Sequence, residues 1–535
     1  MKRLLIPGIV LAVLVIIVAI GAYFGSDYAE GKIRAEITNS LKEGAAFECG
    51  DIEVSLFKGR VKIITPRVTY ADSADHQWSI EADAIAVNLK LIDFIRGKNR
   101  AVLKTIDIAV PQIRIEAENP DFDIFIKSDE GTDADMFRHF KVGTVTVSAG
   151  HLNFLSGKPG GVEVDFSADG SNLRFDSETS AFDADHYAVR CTDFSHLNPD
   201  STYNITAGSA IFKNTSPALE FIDLQMKSVY GKKAFQERQS TRKSRHDIDI
   251  KRVSIYNPQM DGDSSVSIKR IHIHKPHFEL SRDNGKPFED RITLMPQEML
   301  TGLDTQLQID SLTLLEGSLT VELTNKHSEA AAVLKFTRVN AEVTDIQNID
   351  LDAPAFTARA FGIFEGETET SIYTRYDYGP ESPWQLKVTG TTLDLKKVSP
   401  VLAGASRVEI LSGNMTELTL SMSGDKHRTE GEMDLRYENL SADISDKKDG
   451  SSSKVKQFIV EKIGSIFYRE EVTGDKRGAK SVEFETDRDV RKGFVGQWLD
   501  GLLRGAIETV VKPDENKVGD VRDWFKKVFG NEDDE

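Results

Sequence analysis

From about residue 46 to residue 440, apolar and polar positions alternate at a period of two in one short run after another. Turn signals such as Lys158-Pro-Gly-Gly161, Asp283-Asn-Gly285 and Gly379-Pro380 separate the runs. Alternation of this kind predicts β-strands with one buried face. One ten-residue phrase recurs three times. Its apolar positions are Val61, Ile63, Val68 and Tyr70, then Ile106, Ile108, Ile113 and Ile115, then Ile271, Ile273, Phe278 and Leu280. A proline (Pro66, Pro111, Pro276) stands between the two apolar pairs, and Thr69, Arg114 and Glu279 are the polar residues inside the second pair. Proline has no ladder donor, so it predicts a strand break or an edge. A second phrase follows the later two copies: Lys141–Phe154 matches Gln308–Val321, adding Leu312 and Leu314 to the apolar set, and Val408–Met415 is a shorter echo. The offsets nearly agree, 165 residues from Ile106 to Ile271 and 167 from Val142 to Ile309. Strand units repeated in this way predict an elongated, stacked architecture.

Helical periods longer than ten residues are hard to find in this span. Short helices are expected near Ile92–Arg96, Pro296–Leu303 and Leu395–Leu402. Gly231–Asp247 is basic and poor in apolar residues; it reads as a solvated loop, with contact to an anionic headgroup as its functional alternative. Ahead of the strands, Leu4–Phe24 carries no charge and is long enough to span a bilayer, and Lys2 and Arg3 place the N-terminus in the cytoplasm. A signal peptide cleaved near Ala19-Ile-Gly21 is the rival reading. Ser26–Lys42, with Ile33, Ile37 and Leu41 at four-residue spacing, predicts an amphipathic helix. Past residue 440 the character changes. A polar stretch at 446–454 precedes apolar stripes of helical period, one through Val495, Trp498 and Leu502 and another through Val521, Trp524 and Phe525. Trp498, Leu502, Trp524 and Phe525 are candidates for membrane-interface contact; helices packed over the end of a sheet are the plainer reading. The expected organisation is an anchor over 1–25, a leader helix over 26–45, a repetitive β region over 46–440, and a C-terminal segment over 441–535 with amphipathic helices and an acidic tail.

What covers the apolar face is the physical puzzle. Roughly 25 strands at ~4.8 Å apart extend on the order of 120 Å, and a soluble sheet must bury its apolar side against helices, a second sheet or itself. The helices between the strands are too few. The expected fold is therefore mainly β: a single N-terminal transmembrane helix, an elongated, curled antiparallel β-groove, and a C-terminal helical segment. The fourteen apolar residues of the repeated phrases are expected to line the groove. An apolar guest such as an acyl chain then completes the burial, at about 0.8 kcal/mol per methylene.

Composition narrows the chemistry. The 535 residues hold 67 Lys and Arg against 85 Asp and Glu, a net charge of −18, so a nucleic-acid partner is not expected. The two cysteines, Cys49 and Cys191, form no CxxC pair; they suit one disulfide in an oxidising compartment or two isolated buried thiols. His272, His274 and His277 are the best metal candidate, but they occupy the polar side of the repeated phrase, as Lys62 and Asp107 do in the other copies. No phosphate-binding loop, nucleophile elbow or HExxH motif occurs. Neither an enzyme nor a cofactor is expected.

The charged start, single anchor and leader, followed by Val54-Ser-Leu-Phe-Lys-Gly-Arg-Val-Lys-Ile63 and by Ile106–Ile115, resemble the N-terminal region of AsmA-like proteins of Gram-negative envelopes. Leu393–Tyr437, with Val398-Ser-Pro400, Ile410-Leu-Ser-Gly413 and Gly431-Glu-Met-Asp-Leu-Arg-Tyr437, resembles the late part of the same group. The resemblance implies a β-taco groove anchored in the inner membrane, with its bulk in the periplasm, carrying phospholipid toward the outer membrane. It offers no catalytic residues. Its expected partners are phospholipids and the inner membrane. A second reading is a non-catalytic assembly factor or chaperone for outer-membrane proteins, acting through an open sheet edge.

Overall fold

The computed structural model describes residues 26–41, 44–55, 58–71, 77–89, 102–116, 139–155, 161–176, 181–198, 200–261, 264–324, 331–379, 381–401, 408–444, 477–498 and 501–502. The expected anchor Leu4–Phe24, the helix near Ile92–Arg96, and Trp524 and Phe525 lie outside them. Among the described residues no helix is long and apolar enough to cross a membrane. The fold is mainly β, an open, curled and largely antiparallel sheet arrangement. The chain divides into two compact units, Met1–Val229 and Tyr230–Glu535.

In the first unit the early strands come as broken passes. β1 (Ala45–Glu48) and β2 (Asp51–Ser55) make one pass, β3 (Arg60–Ile64) and β4 (Arg67–Ala71) the next. β5 (Gln77–Glu81) with β6 (Ala84–Leu89), and β7 (Val102–Ala109) with β8 (Gln112–Glu116), follow. Each pass is antiparallel to the one before. The long β9 (His139–Leu155) then runs parallel to both β7 and β8. An antiparallel meander completes the unit: β10 (Gly161–Asp176) with the short β11 (Ala181–Asp183), β12 (His186–Leu197), β13 (Tyr203–Lys213) and β14 (Leu219–Ser228).

The second unit repeats the plan. β15 (Ser244–Asp261) and β16 (Ser265–Asp283) are antiparallel, a crossover follows, and β17 (Gln306–Thr324) lies parallel to β16. A meander continues through β18 (Ala332–Gln347), β19 (Pro354–Phe364), β20 (Thr368–Asp377) and β21 (Trp384–Gly390). β22 (Leu393–Asp394), β23 (Val408–Gly424), β24 (Arg428–Ile444) and β25 (Arg477–Asp487) end it, so strand pairing continues past residue 440. The sequence repeat thus has a structural meaning. The later two copies of the proline phrase lie on the strand that enters the parallel step of each unit, and the second phrase lies on the strand that receives it. Ile106 pairs with Val145 in the first unit and Ile271 with Leu312 in the second.

The prolines mark breaks in the ladder, and the break has one conformation. Thr65, Val110 and Lys275, each directly before its proline, have φ of 45°, 50° and 50°. On the receiving strands Ala149 and Glu316 also have φ of 54°, and each is followed by glycine. A Cβ on Gly317 would come within 2.6 Å of the Leu314 side chain and 3.2 Å of Pro276, so a larger residue at the fold line would have to push the end of Leu314 aside. In the first unit the breaks lie side by side, joined by Thr65 N–H to the Asp83 carbonyl, Asp83 N–H to Ala109 and Val110 N–H to Ser148. The ladders keep their register across these breaks, so neighbouring strands are broken in step and no position is inserted: β16 stays paired one-to-one with β15 and β17 on both sides of Lys275. The left-handed residue turns the strand over, which accounts for the change of parity of the apolar pairs across each proline. With regular alternation, Phe278 and Leu280 would face the opposite side from Ile271 and Ile273, and loss of one residue would slip the register beyond it. Deleting Lys275 is therefore expected to abolish cooperative unfolding of the second unit in a denaturant titration. Lys275→Gly should stay within about 1 kcal/mol of the parent, because glycine accepts the left-handed backbone at a modest entropic cost.

Helix α1 (Ser26–Ser40) fulfils the expectation for Ser26–Lys42, and its apolar stripe has a definite target. Ile33, Ile37 and Leu41 are buried in one core with Val61, Ile63, Val68, Val87, Ile106 and Ile108. The helix therefore closes the N-terminal end of the first sheet. In the second unit a core around Met295, Tyr376, Trp384, Leu420, Met422 and Met433 closes the C-terminal end. It is covered by α2 (Pro296–Thr301), which realises the helix expected near Pro296, and by the helical residues 494–498. The expectation at Leu395–Leu402 resolves into a 3-10 turn at Leu395–Lys397 and a helical turn at 399–401. One expectation is corrected. Gly231–Asp247 is not a solvated loop: Lys232–Arg238 forms helix α3 with Phe235 buried, and β15 begins at Ser244. The single aromatic residue of an otherwise basic stretch supplies the anchor.

Candidate functional site

Register assigns the sides of each sheet. In the second unit, Ile255, Val253 and Ile248 of β15 stand across from Ile271, Ile273 and Phe278 of β16. These stand across from Leu312, Leu314 and Leu319 of β17, which in turn face Val343, Ala341 and Phe336 of β18. Cross-strand partners share a side, so four strands present one continuous apolar surface. The residues between them, among them His272, Glu279, Thr313 and Glu342, belong to the other side. All of the named apolar residues are only half-buried, and no described helix packs over this stretch of the apolar side.

The first unit carries a comparable surface. Val145 and Leu152 of β9 lead to Val164, Phe166 and Ala168 of β10, then to Val189, Cys191 and Phe194 of β12. Ile205, Ala207 and Phe212 of β13 and Phe221, Leu224 and Met226 of β14 continue it. Opposite-side residues are again polar, for example Asp165, Ser167 and Asp169 on β10. Most of the apolar members are half-buried, and β12, β13 and β14 have no described helix against them. None of these later residues was among the candidates. The signal that could have found them is the same period-two alternation, interrupted by the left-handed residues Asp193 and Asp223, across which its parity changes mid-strand.

The candidate residues divide into two environments. Val61, Ile63, Val68, Ile106, Ile108 and Ile115 are buried in the core that α1 closes, with Tyr70 and Ile113 packed against it. Tyr70 stacks on Trp78 with ring centroids 5.6 Å apart. Ile271, Ile273, Phe278, Leu280, Leu312 and Leu314 lie together on the uncovered face of β16 and β17. The same phrase thus serves a closed core in one unit and an uncovered surface in the other. Trp498 and Leu502 pack against the closed core of the second unit, Trp498 edge-on to Phe494 at 5.2 Å. The three histidines do not converge: the His272 ring lies tilted at 58° to Tyr256 with centroids 5.0 Å apart, and His277 Nδ1 lies 2.8 Å from the Ser318 hydroxyl. Cys49 and Cys191 are unpaired, and burial pushes both thiols up in pKa.

The polar side of β16 and β17 is held by ion pairs. Lys232 of α3 lies 2.5 Å from both Glu279 and Glu322, and Arg245 lies 2.5 Å from Asp247, a pair about nine-tenths buried. The hydrogen bond from Lys232, opposed by partial burial, holds the Glu279 carboxyl below its ordinary value of 4.5. A depressed carboxylate pKa stabilises the fold above the unfolded-state value, and that contribution disappears as pH falls through the lower folded-state value. Glu279→Gln is accordingly expected to lower the thermal midpoint slightly at pH 7, with the difference from the parent closing as the pH drops below about 4.5. Lys232 is nearly half exposed, so solvent screening keeps the effect small.

The uncovered apolar faces can take apolar groups out of water over several strands. In comparison with known proteins, the chain matches no protein-family model and no curated protein.

Proposed function

We propose that the chain is a non-catalytic lipid carrier whose uncovered apolar faces hold the acyl chains of phospholipids. The carrying observation is the apolar side of β15 to β18, continuous across four strands by register and without a described helix over it. Monomers seldom leave contiguous apolar patches beyond a few hundred Å² in water. Each methylene laid on such a face contributes about 0.8 kcal/mol, so a single long chain supplies several kcal/mol. The apolar stretch Leu4–Phe24 with Lys2 and Arg3 ahead of it supports a membrane anchor with the bulk of the chain across the membrane from its N-terminus. The AsmA-like resemblance supports taking that membrane as the inner membrane, the far side as the periplasm, and lipid movement as directed toward the outer membrane.

The alternative, an assembly factor that pairs client strands with a free edge, is less favoured. β25 pairs only with β24 among the described residues, and its sequence is dense in charge, from Arg477 and Lys480 to Glu483, Glu485 and Asp487. Charged edges are a common device against strand addition. To test the proposal, the full chain is purified in mild detergent and extracted with organic solvent. Recovery of phospholipid in at least stoichiometric amount is expected. A delipidated protein that stays folded and takes up no labelled phospholipid would exclude the carrier function.

A further inference from the structure

Eight of the fourteen large apolar side chains exposed among the described residues fall in three short segments of the second unit, 292–303, 349–351 and 490–495. Hydrogen bonds bring these segments together. The Thr293 N–H donates to the Val490 carbonyl at 2.8 Å and its hydroxyl to the Arg491 carbonyl at 3.0 Å. Asn348 Nδ2 donates to the Leu300 and Thr305 carbonyls, each at 3.0 Å. The cap that α2 forms over the closed core is therefore apolar on both sides. Met295 and Gln297 are buried and Leu300 packs on the core, whereas Met299, and Leu303 just past the helix, are exposed. Ile292 is 68% exposed and Val495 50%. Exposed apolar groups gathered in this way mark an interaction surface.

The sequence supplies an occupant. The described residues end at Leu502, seven positions after Val495, and Leu502 packs against the core beneath this same cap. Further on, Val521, Trp524, Phe525, Val528 and Phe529 recur at helical spacing. Asp520 suits an N-cap, Lys526 and Lys527 suit a last turn, and Gly530 suits the stop, so the sequence predicts a helix over 521–529. A helix that short is not stable alone in water and needs a surface for its apolar stripe. The eighteen residues 503–520 include Pro513 and Gly519, which favour a turn. Extended, they reach on the order of 60 Å, ample for a return to the cap. The uncovered face of β15 to β18 is also apolar, but the described chain leaves from the cap, close in sequence to Val495.

We infer that the stripe from Val521 to Phe529 docks as a short helix on the patch formed by Ile292, Leu294, Met299, Leu303, Ile349 and Val495, fastening the C-terminal segment to the second unit. Trp524 and Phe525 then serve the protein's own cap and not a membrane interface. The inference does not depend on lipid carriage. To test it, the full chain is held in amphipol without a bilayer, with Cys49 and Cys191 replaced by Ser. One cysteine is introduced at a time: Met299→Cys and Val495→Cys on the patch, and Ile273→Cys on the open face as a control. None of the three positions belongs to the closed cores. Each thiol is alkylated with a maleimide in the parent background and in the double variant Trp524→Asp/Phe525→Asp. The rates at 299 and 495 are expected to rise about fivefold or more in the double variant, because the docked helix no longer shields them, and the rate at 273 to stay the same. Equal rates in the two backgrounds overturn the docking; vesicle binding that the double variant weakens then assigns the stripe to a bilayer. A rise at 273 in place of 299 and 495 puts the stripe on the open face, and protection that vanishes on dilution puts it on a second copy; either result overturns the inference. A rise at all three positions is a general loosening and overturns it too.

Discussion

Ile273→Asp is expected to strip most of the bound lipid from the purified protein, at least several-fold per mole, while His274→Asp leaves it in place. The two residues are neighbours on β16, but Ile273 shares a side with Val253 and Leu314, and His274 stands opposite Arg252 on the polar side. A carboxylate among acyl chains costs several kcal/mol unless it protonates. The same group beside Arg252 is solvated and near a counter-charge. Far-ultraviolet circular dichroism should be unchanged in both variants, because neither side chain belongs to the two closed cores. Ile113→Asp, in an earlier copy of the phrase at the position that Phe278 holds in this one, is a poorer instrument. Ile113 packs against the core that α1 closes, so lipid loss there would be mixed with a folding defect.

Trp384→Ala is expected to lower the unfolding free energy by about 3–5 kcal/mol, the usual range for removing a large buried aromatic. Trp384 is 1% exposed, pairs across the ladder with Tyr376 and Gly424, and lies where a Cβ on Gly424 would come within 2.8 Å of its ring. Leu314→Ala, on the uncovered face of the same unit, should cost less in lipid-free protein, about 1 kcal/mol, since part of its surface already meets solvent. Denaturant titration of the delipidated variants distinguishes a covered end from an open face. Similar costs at the two positions would mean that something covers both.

Much of the strand pattern was legible in the sequence, because alternation, turns and proline act locally. The repeated phrase located the breaks at Pro66, Pro111 and Pro276, and its change of parity already held the left-handed turn-over that Thr65, Val110 and Lys275 supply. The parallel step was not legible. Pairing of Ile106 with Val145, or of Ile271 with Leu312, depends on where a crossover returns the chain, and no local preference encodes that. The division between core and open face was hidden for a similar reason. Val61 and Ile271 occupy the same position in the phrase, and only the arrival of Ile33 and Ile37 of α1 separates their environments. At Gly231–Asp247 a high charge density concealed a short helix, because one buried residue, Phe235, is enough to dock it.

The most direct test of the central claim is photo-crosslinking, with a photoreactive amino acid placed singly along β13, β16 and β17 of the full chain and phospholipid labelled in its acyl chains. The account predicts crosslinks at positions 205, 273 and 314, and none at positions 206, 274 and 313, in register with the two sides of the sheets. Labelling without regard to side, or no labelling at positions 205, 273 and 314 in protein that remains folded, would contradict it.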